Sequence, residues 1–292
     1  VKFEYARALV ASHYEHDEGR FEQTVRQLMA TGKTASRQLS KYLMMKHRGV
    51  VLLPNQEEFW LPARPQLMDD LILPDSTMSK LYWIVQQRKR ADELREHDLR
   101  PCSRLLLHGP PGMGKTMAAC CMANELGLPA LLLRSEAVVD SYLGKSAQNL
   151  RKAIEAVSQV DAVFIIDEVD SIGATRNNDS ASGQELARMT NALLSLLDTT
   201  SDRCLLVATT NRFDLLDPAM ARRWQRLEIR VGDYEKRELA MRNGLCGPDA
   251  KAASVWANMA ELAATIDEAK RWACLHDVDL SRAFRHVVRS AG

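Results

Sequence analysis

The sequence predicts an α/β protein: a parallel sheet flanked by helices, with a helical domain ahead of it and a helical lid behind it. Three observations carry this. Short, continuous apolar runs (RLLLHG, ALLLRS, AVFIID and RCLLVATT) alternate with stretches of helical periodicity from about residue 78 onward, the mark of strands covered on both faces. Ahead of that point, apolar residues recur only at three-to-four spacing. Beyond VGDYEKRE no strand-like run follows, only helical periodicity.

The elements follow in order. Ala6, Leu9, Val10 and Tyr14, then Phe21, Val25, Leu28 and Met29, outline two short helices around the polar break EHDEG, and TASRQLSKYLMMKH adds a third. VVLLPNQEEFWLPARPQ carries enough Pro and polar residues to read as an irregular linker near residues 50 to 66. Its Trp60 is either an anchor for a partner or an aromatic plug between domains. Helix MSKLYWIVQQRKRADELREH opens the alternating region. The helices KTMAACCMANELG, SAQNLRKAIEAVSQ and GQELARMTNALLSLLD then separate the four strands. The resulting division is residues 1–66 as an N-terminal helical partner or substrate domain with its linker, 67–232 as the α/β core, and 233–292 as the lid.

Composition narrows the function classes. A chain of 292 residues, 46% hydrophobic, holds a real core and more than one domain. A formal net charge of +1 gives no overall basic field for nucleic acid or an anionic membrane surface. The 6 cysteines are scattered, with no C-x-x-C pair, so neither a metal site nor a disulfide framework is suggested. No stretch approaches the roughly 18 to 20 apolar residues of a membrane helix, and no signal-peptide pattern is seen. A cytoplasmic protein is expected.

GPPGMGKT, residues 109–116, meets the pattern G-x-x-x-x-G-K-[ST] directly after a strand and directly before a helix. The glycines let successive N–H groups turn inward as an anion nest, and the following helix adds the positive end of its dipole. Gly109, Pro110, Pro111, Gly112, Met113, Gly114, Lys115, Thr116 and Met117 are therefore the candidate nucleotide-binding residues of a P-loop NTPase core. Lys115 is assigned to the β and γ phosphates and the Thr116 hydroxyl to Mg²⁺. VFIIDEVDSIG ends an apolar strand in Asp167 and Glu168, at the edge where open α/β sheets gather ligands. Asp167 suits the metal, held through water, and Glu168 suits a general base acting on the attacking water. Asp170 reads either as a helix N-cap or as a group facing an adjoining subunit.

GPPGMGKT, IIDEVDSIG and LLVATTNRFDLLDPAMARRW, in that order, resemble the AAA ATPase family over about residues 69 to 292. The resemblance implies ATP and Mg²⁺ as cofactors and ATP hydrolysis as the activity. It implies that Asn211, ending the sensor strand, holds the hydrolytic water. Arg222 and Arg223 fall where the family carries arginine fingers, although the usual R-P-G-R spelling is shortened to ARRW. A finger inserted from a neighbour is worth about 10³ to 10⁵ in rate, so a homo-oligomeric ring, usually of six subunits, is implied. In the lid, Asp277, Val278 and Asp279 stand where relatives place a Gly-Ala pair, in some followed by an arginine. Arg282, one turn on, is the substitute candidate there.

The resemblance extends to coupling. Tyr142-Leu143-Gly144 resembles the aromatic-hydrophobic-Gly channel loop of protein-remodelling AAA rings, where an aromatic ring grips an extended chain without reading its sequence; burial of Tyr142 in the core is the alternative. SIGATRNNDSASGQ suits a second channel loop or plain disorder. A protein substrate is therefore favoured over an ATPase of DNA transactions, which near-neutral charge and the lack of a helix-turn-helix or zinc module disfavour. ALVASHYEHDEGRFEQTVRQL resembles small stand-alone bacterial AAA ATPases, some encoded beside a subtilisin-like serine protease, so a protease partner is an expectation. Neither membrane nor nucleic acid is an expected partner.

Overall fold

The computed structural model describes residues 59–138, 145–155, 161–173, 181–199 and 204–291. Its six strands, β1 (Trp60–Pro62), β2 (Arg104–His108), β3 (Ala130–Leu133), β4 (Val163–Ile166), β5 (Leu205–Thr210) and β6 (Gln225–Glu228), form one sheet in the order β1-β3-β4-β5-β2-β6. β2 through β6 run parallel. β1 alone is antiparallel, with Trp60 opposite Leu133 at the β3 edge.

The helices of this region are α1 (Asp75–Lys89), α2 (Ala91–Glu96), α3 (Lys115–Glu125), α4 (Ser135–Val138), α5 (Lys145–Glu155), α6 (Asp170–Gly173), α7 (Ala181–Thr199) and α8 (Pro218–Ala221). After β6 come α9 (Asp233–Arg242), α10 (Gly247–Ala252), α11 (Met259–His276) and α12 (Leu280–Ala291). No helix is long and apolar enough to cross a membrane among the described residues.

β4 and β5 are buried along their whole length, which is why they read as continuous apolar runs. Side chains alternate across the pleat. One face sends Leu105, Leu107, Val163, Ile165, Leu205 and Val207 against α1 and α3, whose Leu81, Val85, Ala118, Ala119, Cys121 and Met122 complete a single apolar cluster. On the opposite face Leu106, Phe164, Ile166, Leu206 and Ala208 are equally inaccessible. The small residues of α3 bring that helix close to the sheet. Its end is fixed by Gly127 at φ 68, with Gly127 N–H on Asn124 O at 3.0 Å and Leu128 N–H on Ala123 O at 2.9 Å, a Schellman closure that only a residue tolerant of positive φ completes without strain. A second apolar cluster, Ala240, Leu245, Leu262, Ile266, Ala269 and Phe284 among its members, unites α9 to α12.

Four local features differ from expectation. β1 lies inside the stretch read as linker; three residues are too few for a period-two signal, and Pro62 is admissible because β1 is an edge strand. β6 carries no strand signal in the sequence. As the other edge it buries only Leu227 of its four residues, so it lacks the apolar run of its neighbours. The opening helix is two helices parted at Arg90, φ −108 and ψ 30, where no breaker residue announces a stop. Trp60 is not a partner anchor: it is 1% exposed, meets Phe164 edge to face at 4.9 Å and donates its indole N–H to Ala153 O at 2.8 Å. Burial of the ring with its one donor satisfied makes it core.

Candidate functional site

The C-terminal ends of β2, β4 and β5 converge on the turn Gly109–Gly114 and the start of α3. Gly109, Gly112 and Gly114 take φ of 146, 70 and 87, conformations that side chains rarely adopt. Space forbids a side chain as well. A Cβ on Gly109 would stand 2.2 Å from Ile229 O, and one on Gly112 would stand 2.5 Å from Asn258 Oδ1. Met113 is buried and Met117 packs on the core below, while Pro110 is half-buried and Pro111 exposed.

Lys115, 7% exposed, points its ammonium back into the turn, donating to Gly109 O at 2.9 Å and Pro110 O at 2.7 Å. Burial lowers its pKa; Asp167, Asp170 and Glu168 act in the opposite sense. Thr116 donates its hydroxyl to Asp167, 3.0 Å from Oδ1 and 3.2 Å from Oδ2. A nest of N–H groups, a buried cation and a hydroxyl beside a carboxylate suit a polyphosphate with a hard divalent cation. Mg²⁺ takes oxygen ligands and usually only one or two carboxylates, the rest being water and phosphate. Among the described residues no group of three or more His, Cys, Asp and Glu is placed to hold a metal ion.

Glu168 follows Asp167 at φ 51, so the two carboxylates leave the strand in different directions. Asn211 Nδ2 donates to Glu168 Oε1 at 3.4 Å, bringing the ends of β4 and β5 together. Asp170 is held within its own chain, accepting the Thr210 hydroxyl at 2.6 Å. His108 packs on Phe213 at 4.8 Å, and Arg226 lies over the same ring at 5.7 Å. Burial lowers the His108 pKa, with Glu228 acting the other way.

Arg222 and Arg223 follow α8, a short helix started by Asp217, whose Oδ1 accepts from Ala219 N–H at 2.6 Å. Arg223 grips Asp198 of α7 with two nitrogens at 2.7 and 2.8 Å and donates to Ala219 O at 3.0 Å. This pairing raises the Arg223 pKa and holds the Asp198 carboxyl below its usual range. Arg222 is exposed and makes no side-chain hydrogen bond or ion pair among the described residues. Neither arginine joins the phosphate turn of its own chain. Tyr142 and Leu143 lie outside the described residues.

Asp277, Val278, Asp279 and Arg282 stand away from the glycine turn. Asp277 sits at φ 51, capping the C-terminal end of α11, and Arg282 belongs to α12, which packs on α10 and α11. The turn is met instead by the opposite end of α11: Ala260 N–H donates to Gly112 O at 3.1 Å, Asn258 covers Gly112, and Met259 packs on the sheet cluster. A helix of 18 residues separates its two ends by about 27 Å at 1.5 Å per residue, which removes Asp277, Val278 and Asp279 from the turn. Two residues to which the sequence motifs assign no role also join the site, Asn258 and Thr209. Thr209 donates its hydroxyl to Asp167 Oδ1 and accepts Glu168 N–H at 3.1 Å.

Residues 105–232 match the family model described as "ATPase family associated with various cellular activities". An uncharacterized AAA family ATPase of Sinorhizobium fredii is 38% identical over 156 residues, 53% of this chain and 47% of the relative. A putative 26S proteasome regulatory subunit homolog of Methanothermobacter thermautotrophicus is 30% identical over 201 residues, 67% of this chain and 53% of the relative. Proteasome-activating nucleotidase 2 of Halobacterium salinarum is 33% identical over 175 residues, 55% and 43% of the two chains. The chain spans about half the length of these curated relatives.

Proposed function

Residues 105–232 carry an AAA ATPase domain, and on that premise we propose that the chain hydrolyses Mg-ATP and uses the energy to remodel, unfold or translocate protein substrates as a homo-oligomeric ring. The observation that carries the hydrolysis is the meeting of the Thr116–Asp167 pair with the Glu168–Asn211 pair at the mouth of the glycine turn. In this reading the turn from Gly109 to Thr116, with Met117 behind it, binds the phosphates, and Lys115 exchanges its bonds to Gly109 and Pro110 for phosphate oxygens. Thr116, and Asp167 through water, would hold Mg²⁺, which when bound would neutralise charge on the phosphates. Glu168 takes a proton from the attacking water, and Asn211, already on Glu168, orients both. Arg222 or Arg223 is supplied to the site of the neighbouring subunit.

Protein as substrate is supported by the relatives named as proteasome-activating nucleotidase and proteasome regulatory subunit homolog, and by the resemblance of Tyr142-Leu143-Gly144 to a channel loop. A ring of six, a cytoplasmic location and a subtilisin-like protease partner belong to the same proposal.

Lys115→Ala is expected to lose nucleotide binding, measured with a fluorescent ATP analogue. Glu168→Gln is expected to bind ATP and to lose turnover by about 10² to 10⁴, the range of a general base. Proteins retained on the ATP-loaded Glu168→Gln variant would be the substrates; fast hydrolysis by that variant would remove Glu168 from its role, and retention of DNA alone would replace the substrate class.

A further inference from the structure

We propose that Thr209 is a positioning residue that sets the orientation of both site carboxylates, and through them the affinity for the divalent cation and the rate of hydrolysis; the inference rests on the Mg-ATP reading above. Thr209, the penultimate residue of β5, is 1% exposed. A hydroxyl has one proton and two lone pairs. Here the proton goes to Asp167 Oδ1 and a lone pair takes the Glu168 N–H at 3.1 Å. The main chain adds a third tie, Val169 N–H on Thr209 O at 2.9 Å. One residue of β5 thus clasps three successive residues at the end of β4.

Each tie acts on something the chemistry needs. Asp167 Oδ1 receives two hydroxyls, from Thr116 and from Thr209, and two donors from different elements fix the plane of a carboxylate that one would leave free to turn. The bond to Glu168 N–H secures a residue at φ 51, a conformation rare for non-glycine residues, and so decides where the Glu168 side chain departs. Threonine as a strand former accounts for burial alone. Valine would fill the same space with the same branching and make neither bond.

The test compares Thr209→Val, Thr209→Ala and Thr209→Ser with wild type in two readouts: steady-state ATP turnover, and binding of a fluorescent ATP analogue titrated with Mg²⁺. Partners that orient a metal ligand from behind are typically worth about 10- to 100-fold in metal affinity or activity. Thr209→Val and Thr209→Ala are expected to lower kcat by that factor with KM for ATP little changed. The same variants should need about tenfold more Mg²⁺ for half-maximal binding of the analogue, while analogue binding in EDTA stays as in wild type. Thr209→Ser is expected to restore both. Val and Ala variants that match wild type in both readouts overturn the proposal, and so does a Ser variant that falls as far as Val. A wild-type chain that neither binds nor hydrolyses ATP overturns the ATPase reading instead, which separates the two failures.

Discussion

Arg222 and Arg223 are neighbours in sequence and differ in what holds them. Arg223 is engaged by Asp198 through a two-pronged contact and by a main-chain carbonyl, a geometry that suits the planar guanidinium. Arg222 is exposed beside it with its charge available. Loss of turnover is therefore expected to fall on Arg222: Arg222→Ala should keep nucleotide affinity and lose about 10³ or more in kcat at saturating ATP. Arg223→Ala should chiefly loosen α8 against α7, read as a lower melting temperature with a smaller kinetic effect. The reverse pattern would assign the roles the other way round. The residue types of this distinction were legible in ARRW, but the partner was not, because Asp198 lies 25 residues away on a helix whose facing only the folded chain decides. The same holds for Thr209. Its side chain is an ordinary strand residue until β4 is laid beside it, whereas Gly109, Gly114, Lys115 and Thr116 carry their requirement in their own backbone and spacing.

At the level of elements, the start of α11 is the piece that joins the C-terminal helices to the phosphate turn. Asn258 caps it by accepting Glu261 N–H at 2.9 Å, and the same side chain covers Gly112. Asn258→Ala should cost about 1 kcal/mol of stability, the usual worth of such a cap, and should also weaken binding of a fluorescent ATP analogue. Normal affinity in a destabilised variant would make the contact with the turn incidental. The N-x-x-E signature of Asn258 and Glu261 marks a helix start in the sequence. Which end of that helix reaches the turn is a matter of tertiary packing, and the sequence around Asp277 and Val278, lacking the Gly-Ala pair, left it open. Strands followed the same division. β2 to β5 were legible because burial on both faces forces an apolar run, while β1 and β6, each with one side unpaired among the described residues, lack that pressure.

For the whole molecule, the decisive expectation is that a site completed by a neighbour's guanidinium fails without the neighbour. ATP turnover per subunit should fall steeply as the protein is diluted below its assembly range, with sedimentation reporting the loss of oligomer over the same concentrations. A rate per subunit that is constant through that dilution would show each chain to be self-sufficient. The two apolar clusters, one under the sheet and one within α9 to α12, are each closed by their own side chains. They touch through Met259, the Ala260–Gly112 bond and the contact of Arg242 with Asp69 O. A tilt of one body on the other is therefore expected to act first on the glycine loop, so that under the ATPase proposal the fulcrum would coincide with the place where the fuel is held.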